Sequence, residues 1–179
     1  MNRTVAHLQR TPGHLQYGHP IFDTVYTELG ELLLRVKYRS DWSAVDEIVE
    51  AAADFMRSWN PGEDLIVPVP PSRKRPKQPV LVLADALGQR LGIETILNCV
   101  ARVKETPELK NVYDFGTRVQ SLQGAHTVNK AAVEGRKVLL FDDLYRSGAT
   151  MNAVAASLYD EGAASDVFGL TITRTRVKR

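Results

Sequence analysis

Residues 137–160 confine this chain to few folds. Val138-Leu139-Leu140-Phe141 is an apolar run without alternation, the pattern of a strand buried on both faces. It breaks into Asp142-Asp143, and a loop of small residues then opens a helix over 149–159. Met151, Val154, Ala155 and Leu158 fall on one face of that helix. A strand covered on both faces needs a helix layer on each side, which is the architecture of an α/β sheet.

The alternation of strand and helix runs from residue 65 onward. Residues 65–69 form a second short apolar run, followed by a proline-rich, basic turn. Val80, Leu83, Ala84, Leu87 and Leu91 mark a helix closed by Gly92. Residues 95–103 read as a strand, 104–120 as a long polar loop and 167–173 as a final strand. The expectation is an α/β fold, a mostly parallel twisted sheet with helices on both faces.

Ahead of that core, Phe22, Val25, Leu29, Leu32, Leu33 and Val36 predict a helix over 21–37. Val45, Ile48, Val49, Ala52, Phe55, Met56 and Trp59 predict a second, stopped by Asn60-Pro61-Gly62. The first twenty residues, with Pro12, Gly13, Gly18 and Pro20, read as an irregular arm. Residues 1–60 are thus expected to form an arm and helical hood, and 61–179 the core, within one compact domain.

Composition acts by exclusion. A single cysteine, Cys99, rules out an intrachain disulfide and any multi-cysteine zinc site. No run of 18 apolar residues exists and residues 1–19 lack an apolar signal core, so a cytoplasmic protein without a membrane span is expected. The net charge of +2 gives no global argument for nucleic acid, which stays a possible but unsupported partner. Charge is locally uneven: Arg73, Lys74, Arg75 and Lys77 crowd the turn after the first buried run. His7, His14 and His19 are irregularly spaced and read as surface residues rather than metal ligands.

The loop after Asp143 suits a phosphorylated sugar. Open α/β sheets bind ligands at the carboxyl ends of their strands. A helix N-terminus there offers unpaired N–H groups and a positive dipole end. Gly148 lets the backbone approach a phosphate, Ser147 and Thr150 add hydroxyl donors, and Arg146 adds charge. The carboxylates of Asp142 and Asp143 would repel a phosphate, so they belong beside the vicinal hydroxyls of the sugar. An Asp-Asp pair followed by Ser-Gly also fits a simple helix cap, and the basic turn also fits a solvated one. The absence of G-x-x-x-x-G-K-[ST] and of G-x-G-x-x-G removes nucleotide-hydrolase and dinucleotide readings.

The segment 138–150 resembles the signature with which type I phosphoribosyltransferases bind 5-phosphoribosyl-1-pyrophosphate (PRPP). Beyond it the chain resembles the ComF branch, phosphoribosyltransferase-like proteins associated with bacterial competence. The resemblance is carried by Leu34-Arg35-Val36-Lys37-Tyr38-Arg39, Val67-Pro68-Val69-Pro70, Arg118 and Leu170-Thr171-Ile172-Thr173-Arg174. It spans roughly residues 30–175.

The resemblance implies that Asp142 and Asp143 bind the ribose hydroxyls. Arg146, Ser147, Gly148, Ala149 and Thr150 would wrap the 5′-phosphate, and Ser72, Arg73 and Lys74 the pyrophosphate. Lys104, Lys110 or Arg118 would reach the pyrophosphate from a mobile loop. Mg²⁺ would arrive on the oxygens of PRPP, with no metal site of the protein's own. The implied activity is transfer of phosphoribose to a nitrogenous base or amine that the sequence does not identify. The alternative is a non-catalytic PRPP- or nucleotide-binding module, or an accessory in DNA uptake. A homodimer is compatible with either.

Three departures bear on this. The cysteine-rich zinc module common in ComF-type proteins is absent from this sequence. Lys77-Gln78-Pro79-Val80 stands where the family has Arg-Gly-Phe-Asn-Gln, and Arg146 stands for a threonine. Pro68, Pro70 and Pro71 lack N–H groups, which leaves Val69, Ser72 and Arg73 as backbone donors in the turn.

Overall fold

The computed structural model describes residues 6–16, 19–72, 75–103 and 124–177, with 6–25 and 176–177 as backbone only. Its main sheet has six strands. In chain order they are β1 (Ala6–Gln16), β2 (His19–Val25), β3 (Leu65–Pro68), β4 (Glu94–Thr95), β7 (Lys137–Tyr145) and β8 (Asp166–Val177), arranged β2-β1-β8-β7-β3-β4. All neighbours run parallel except the β1–β2 hairpin. A second, two-stranded antiparallel sheet pairs β5 (Val100–Arg102) with β6 (His126–Val128). The helices are α1 (Glu28–Tyr38), α2 (Val45–Trp59), α3 (Pro79–Leu91), a single turn α4 (Lys130–Val133) and α5 (Ala149–Asp160).

The expected mostly parallel sheet is present, and its unalternating strands are covered on both sides as their composition requires. Ile66, Leu139, Phe141, Leu170 and Ile172 face one layer, built from α1, α2 and α3. Leu65, Val67, Val138 and Leu140 face the other, where Val154 and Leu158 of α5 join Cys99, Val100 and Val133. Because Ile48, Val49, Ala53 and Met56 of α2 sit in the same cluster as the strands, packing runs across residue 60 without a break.

Three sequence expectations need correction. Residues 6–16 and 19–20 are not part of an irregular arm: β1 pairs with β8 over residues 6–10 and with β2 along most of its length. Pro12 faces Phe22 at an irregularity in the hairpin, beyond the pairing with β8, and Pro20 lies on the edge strand, the two settings in which a sheet tolerates proline. The first helix begins at Glu28 rather than near 21, capped by Thr27, whose Oγ1 accepts from Gly30 N–H at 3.3 Å. The strand expected over 95–103 is two pieces, β4 and β5, in different sheets.

Candidate functional site

β7 is longer than its apolar run, because the ladder with β8 continues through Asp142↔Thr171, Leu144↔Thr173 and Tyr145↔Arg174. The two aspartates therefore lie inside the strand and point to opposite faces, as successive strand residues must. Asp143 is buried, and both of its oxygens lie 2.9 Å from Lys37 Nζ at the end of α1. Thr173 Oγ1 donates to the Asp143 carbonyl at 3.3 Å. Asp142 takes the Asp143 N–H on its own Oδ1 at 2.8 Å. Burial and the adjacent Asp143 charge push the Asp142 carboxyl up to about 7, against smaller opposing effects of the Asp143 and Leu144 N–H groups and the Lys37 charge.

The chain then turns into α5 through Gly148, whose φ of 78° is the left-handed region. A β-carbon there would stand 2.6 Å from the hydroxyl at the tip of the exposed Tyr145 side chain, which can swing aside, so it is the backbone angle that favours glycine. Asn152 N–H closes the first helical bond onto the Gly148 carbonyl at 2.8 Å, while Ser147 Oγ accepts a long 3.5 Å bond from Ala149 N–H.

These residues open onto one cavity of about 450 Å³, within the range of small-molecule sites. Asp142, Asp143, Arg146, Ser147, Gly148, Ala149 and Thr150 line it, and Ser72 lines it from the basic turn. The structure thus brings together eight of the residues singled out from the sequence. Arg73, Lys74, Lys104, Lys110 and Arg118 lie outside the described residues.

The turn after β3 differs from its sequence reading in one respect. Val69 N–H is not free for a ligand, because it donates to the Phe141 carbonyl at 2.8 Å and extends the sheet. Two cations of the basic cluster are also engaged. Arg75 donates to the Lys37 carbonyl at 2.8 Å and sits 5.8 Å from the Tyr38 ring centre, and Lys77 Nζ lies 3.9 Å over Trp42. The end of α1 is consequently tied to the acid pair through Lys37 and to the basic turn through Arg75.

Sequence reasoning assigned no site role to Lys37, Arg102 or His126, all of which line the cavity together with Tyr38 and with Arg75 of the basic cluster. Lys37 carried a local signal, a cation directly after the buried Val36 in an amphipathic helix. Arg102 and His126 carried none, since their pairing spans the long loop. Among the described residues no group of three or more His, Cys, Asp or Glu could hold a metal ion, and no helix is long and apolar enough to cross a membrane.

No family model matches the sequence. It is similar to the competence protein ComFC of Bacillus subtilis (strain 168), 27% identical over 163 residues that cover 85% of this chain. The match spans only 63% of that protein's length. Among solved structures, an adenine phosphoribosyltransferase superposes with a TM-score of 0.55 at 15% identity, covering 93% of this chain and 84% of that one. The adenine phosphoribosyltransferase of Leishmania donovani superposes with a TM-score of 0.52 at 12% identity, covering 96% and 65%. At such identities the likeness establishes the fold, with the acid pair and glycine loop opening onto its cavity. The chain has the fold of the type I phosphoribosyltransferases and is similar in sequence to the competence protein ComFC.

Proposed function

We propose that the chain binds PRPP in this cavity and transfers its phosphoribosyl group to a nitrogenous acceptor. The observation that carries the reading is the joint opening of Asp142, Asp143 and the N-terminus of α5 onto a single cavity bordered by the basic turn. Asp142 and Asp143 accept hydrogen bonds from the ribose hydroxyls. The loop Arg146, Ser147, Gly148, Ala149 and Thr150 takes the 5′-phosphate on backbone N–H groups at a helix N-terminus. Ser72, with Arg73 and Lys74, takes the pyrophosphate. Lys104, Lys110 and Arg118 belong to the long loop assigned to closing over the site.

In the reaction the C1–oxygen bond to pyrophosphate breaks and a C1–nitrogen bond to the acceptor forms. Pyrophosphate leaves with the bonding pair, and the acceptor's proton passes to solvent. Mg²⁺, carried on PRPP, supplies neutralising charge for the leaving group. The carboxylate oxygens of Asp142 and Asp143, which line the cavity, are hard donors of the kind such an ion accepts. The protein's own contribution is to orient the ribose and to place positive charge where the leaving group develops negative charge. The acceptor is a base or amine whose identity an acceptor screen has to supply.

The test is thermal unfolding of wild type and Asp142→Asn with millimolar PRPP and Mg²⁺. A ligand-dependent rise in wild type that vanishes in the variant supports the site. No rise in wild type overturns it. Pyrophosphate release is then followed across a panel of nucleobases and amines, with loss in Asp143→Asn as the control.

One observation favours a second reading, a PRPP- or nucleotide-binding module without turnover. Both Asp143 oxygens are held by Lys37, and Val69 N–H and Arg75 are engaged within the protein. PRPP-dependent stabilisation with no pyrophosphate released by any acceptor is the result that selects it.

A further inference from the structure

Arg102 and His126 are direct cross-strand partners on β5 and β6, and both line the cavity. His126 is only 2% exposed. Arg102 Nε and His126 Nδ1 are buried and make no hydrogen bond. Buried polar nitrogens are nearly always paired, so two orphans side by side in a cavity wall call for a partner. No carboxylate among the described residues supplies it, for Arg102 is absent from their ion pairs. Burial, with the neighbouring Arg102 charge as the smaller cause, pushes the His126 imidazole below its ordinary value. β6 packs against α5, so this wall adjoins the helix whose N-terminus opens at Gly148.

The basic turn, by contrast, has lost part of its anion-binding capacity to internal contacts, through Val69 N–H, Arg75 and Lys77. We infer that Arg102 and His126 form an anion-binding pair that takes a phosphoryl group of the cavity's occupant. The guanidinium supplies charge-assisted donors and the imidazole one N–H, a set suited to phosphate or pyrophosphate oxygens. The inference deepens the PRPP reading and rests on it for the identity of the whole ligand, but inorganic pyrophosphate alone tests the pair.

The experiment is calorimetric titration of the full chain with pyrophosphate in chloride buffer, for wild type, Arg102→Met, Arg102→Lys and His126→Gln. Arg102→Met is expected to weaken binding roughly tenfold or more, with Arg102→Lys intermediate. The ligand-free melting temperature of Arg102→Met should not fall, because the variant removes a buried charge that has no partner. The imidazole proton resonance of His126 should titrate at higher pH with pyrophosphate than without it. Pyrophosphate that fails to bind wild type, or binds Arg102→Met equally well, overturns the pair. The two proposals fail separately. Pyrophosphate binding that depends on Arg102 in a protein indifferent to PRPP keeps the pair and removes the PRPP reading. PRPP binding that is unchanged in Arg102→Met does the reverse.

Discussion

Asp142 and Asp143 share a strand and a cavity, yet their surroundings divide their behaviour. Asp143 faces Lys37, while Asp142 makes no ion pair among the described residues and its carboxyl is pushed up to about 7 from an ordinary 3.8. Between those two values the folded protein holds a proton that the unfolded chain has released. Stability must then fall as pH rises through that window. Asn has no proton to lose, so Asp142→Asn should match wild type near pH 4 and exceed it near pH 8, read from urea midpoints at each pH. The Lys37–Asp143 contact makes the opposite demand. Lys37→Met leaves a buried carboxylate alone and should cost about 3 kcal/mol at pH 7. Adding Asp143→Asn should restore about 1–3 kcal/mol, a coupling that a double-mutant cycle in urea would report.

At the scale of elements, the strand–loop–helix unit from β7 to α5 depends on Gly148. Gly148→Ala forces a residue with a β-carbon into a left-handed φ, and about 1–2 kcal/mol of destabilisation is expected from equilibrium unfolding. This unit was legible in the sequence because its signals are local: an unalternating apolar run, a glycine, and an apolar face at helical spacing. The stops at Asn60 and Gly92 were legible for the same reason, and both residues adopt positive φ.

The β1–β2 hairpin was not legible. Its prolines and glycines imitate a loop locally, whereas β1 is held as a strand by pairing with residues 173–177 at the other end of the chain. The site divides along the same line. The acid pair and the phosphate loop are contiguous and could be read. Lys37 meets Asp143 across 106 residues, and Arg102 meets His126 across the long loop, contacts that only the fold creates.

For the molecule as a whole, the packing predicts one cooperative unit rather than a core with a detachable hood. Ile48 of α2 and Leu139 of β7 are both fully buried in one cluster. Ile48→Ala and Leu139→Ala should each cost about 2–5 kcal/mol, with a single unfolding transition by circular dichroism and by tryptophan fluorescence. Separate transitions would show that residues 1–60 fold independently. The two-residue strand β4 carries another consequence. A sheet end so short, with Glu94 paired to Arg136 beside it, gives an incoming strand too few open backbone groups to dock. At the opposite end, β2 carries Pro20 as its second residue, which has no donor to offer. The β4 margin therefore resists growth by addition of strands from another molecule, and Pro20 removes one donor from the other, a bias against amyloid-like stacking that owes nothing to the ligand cavity.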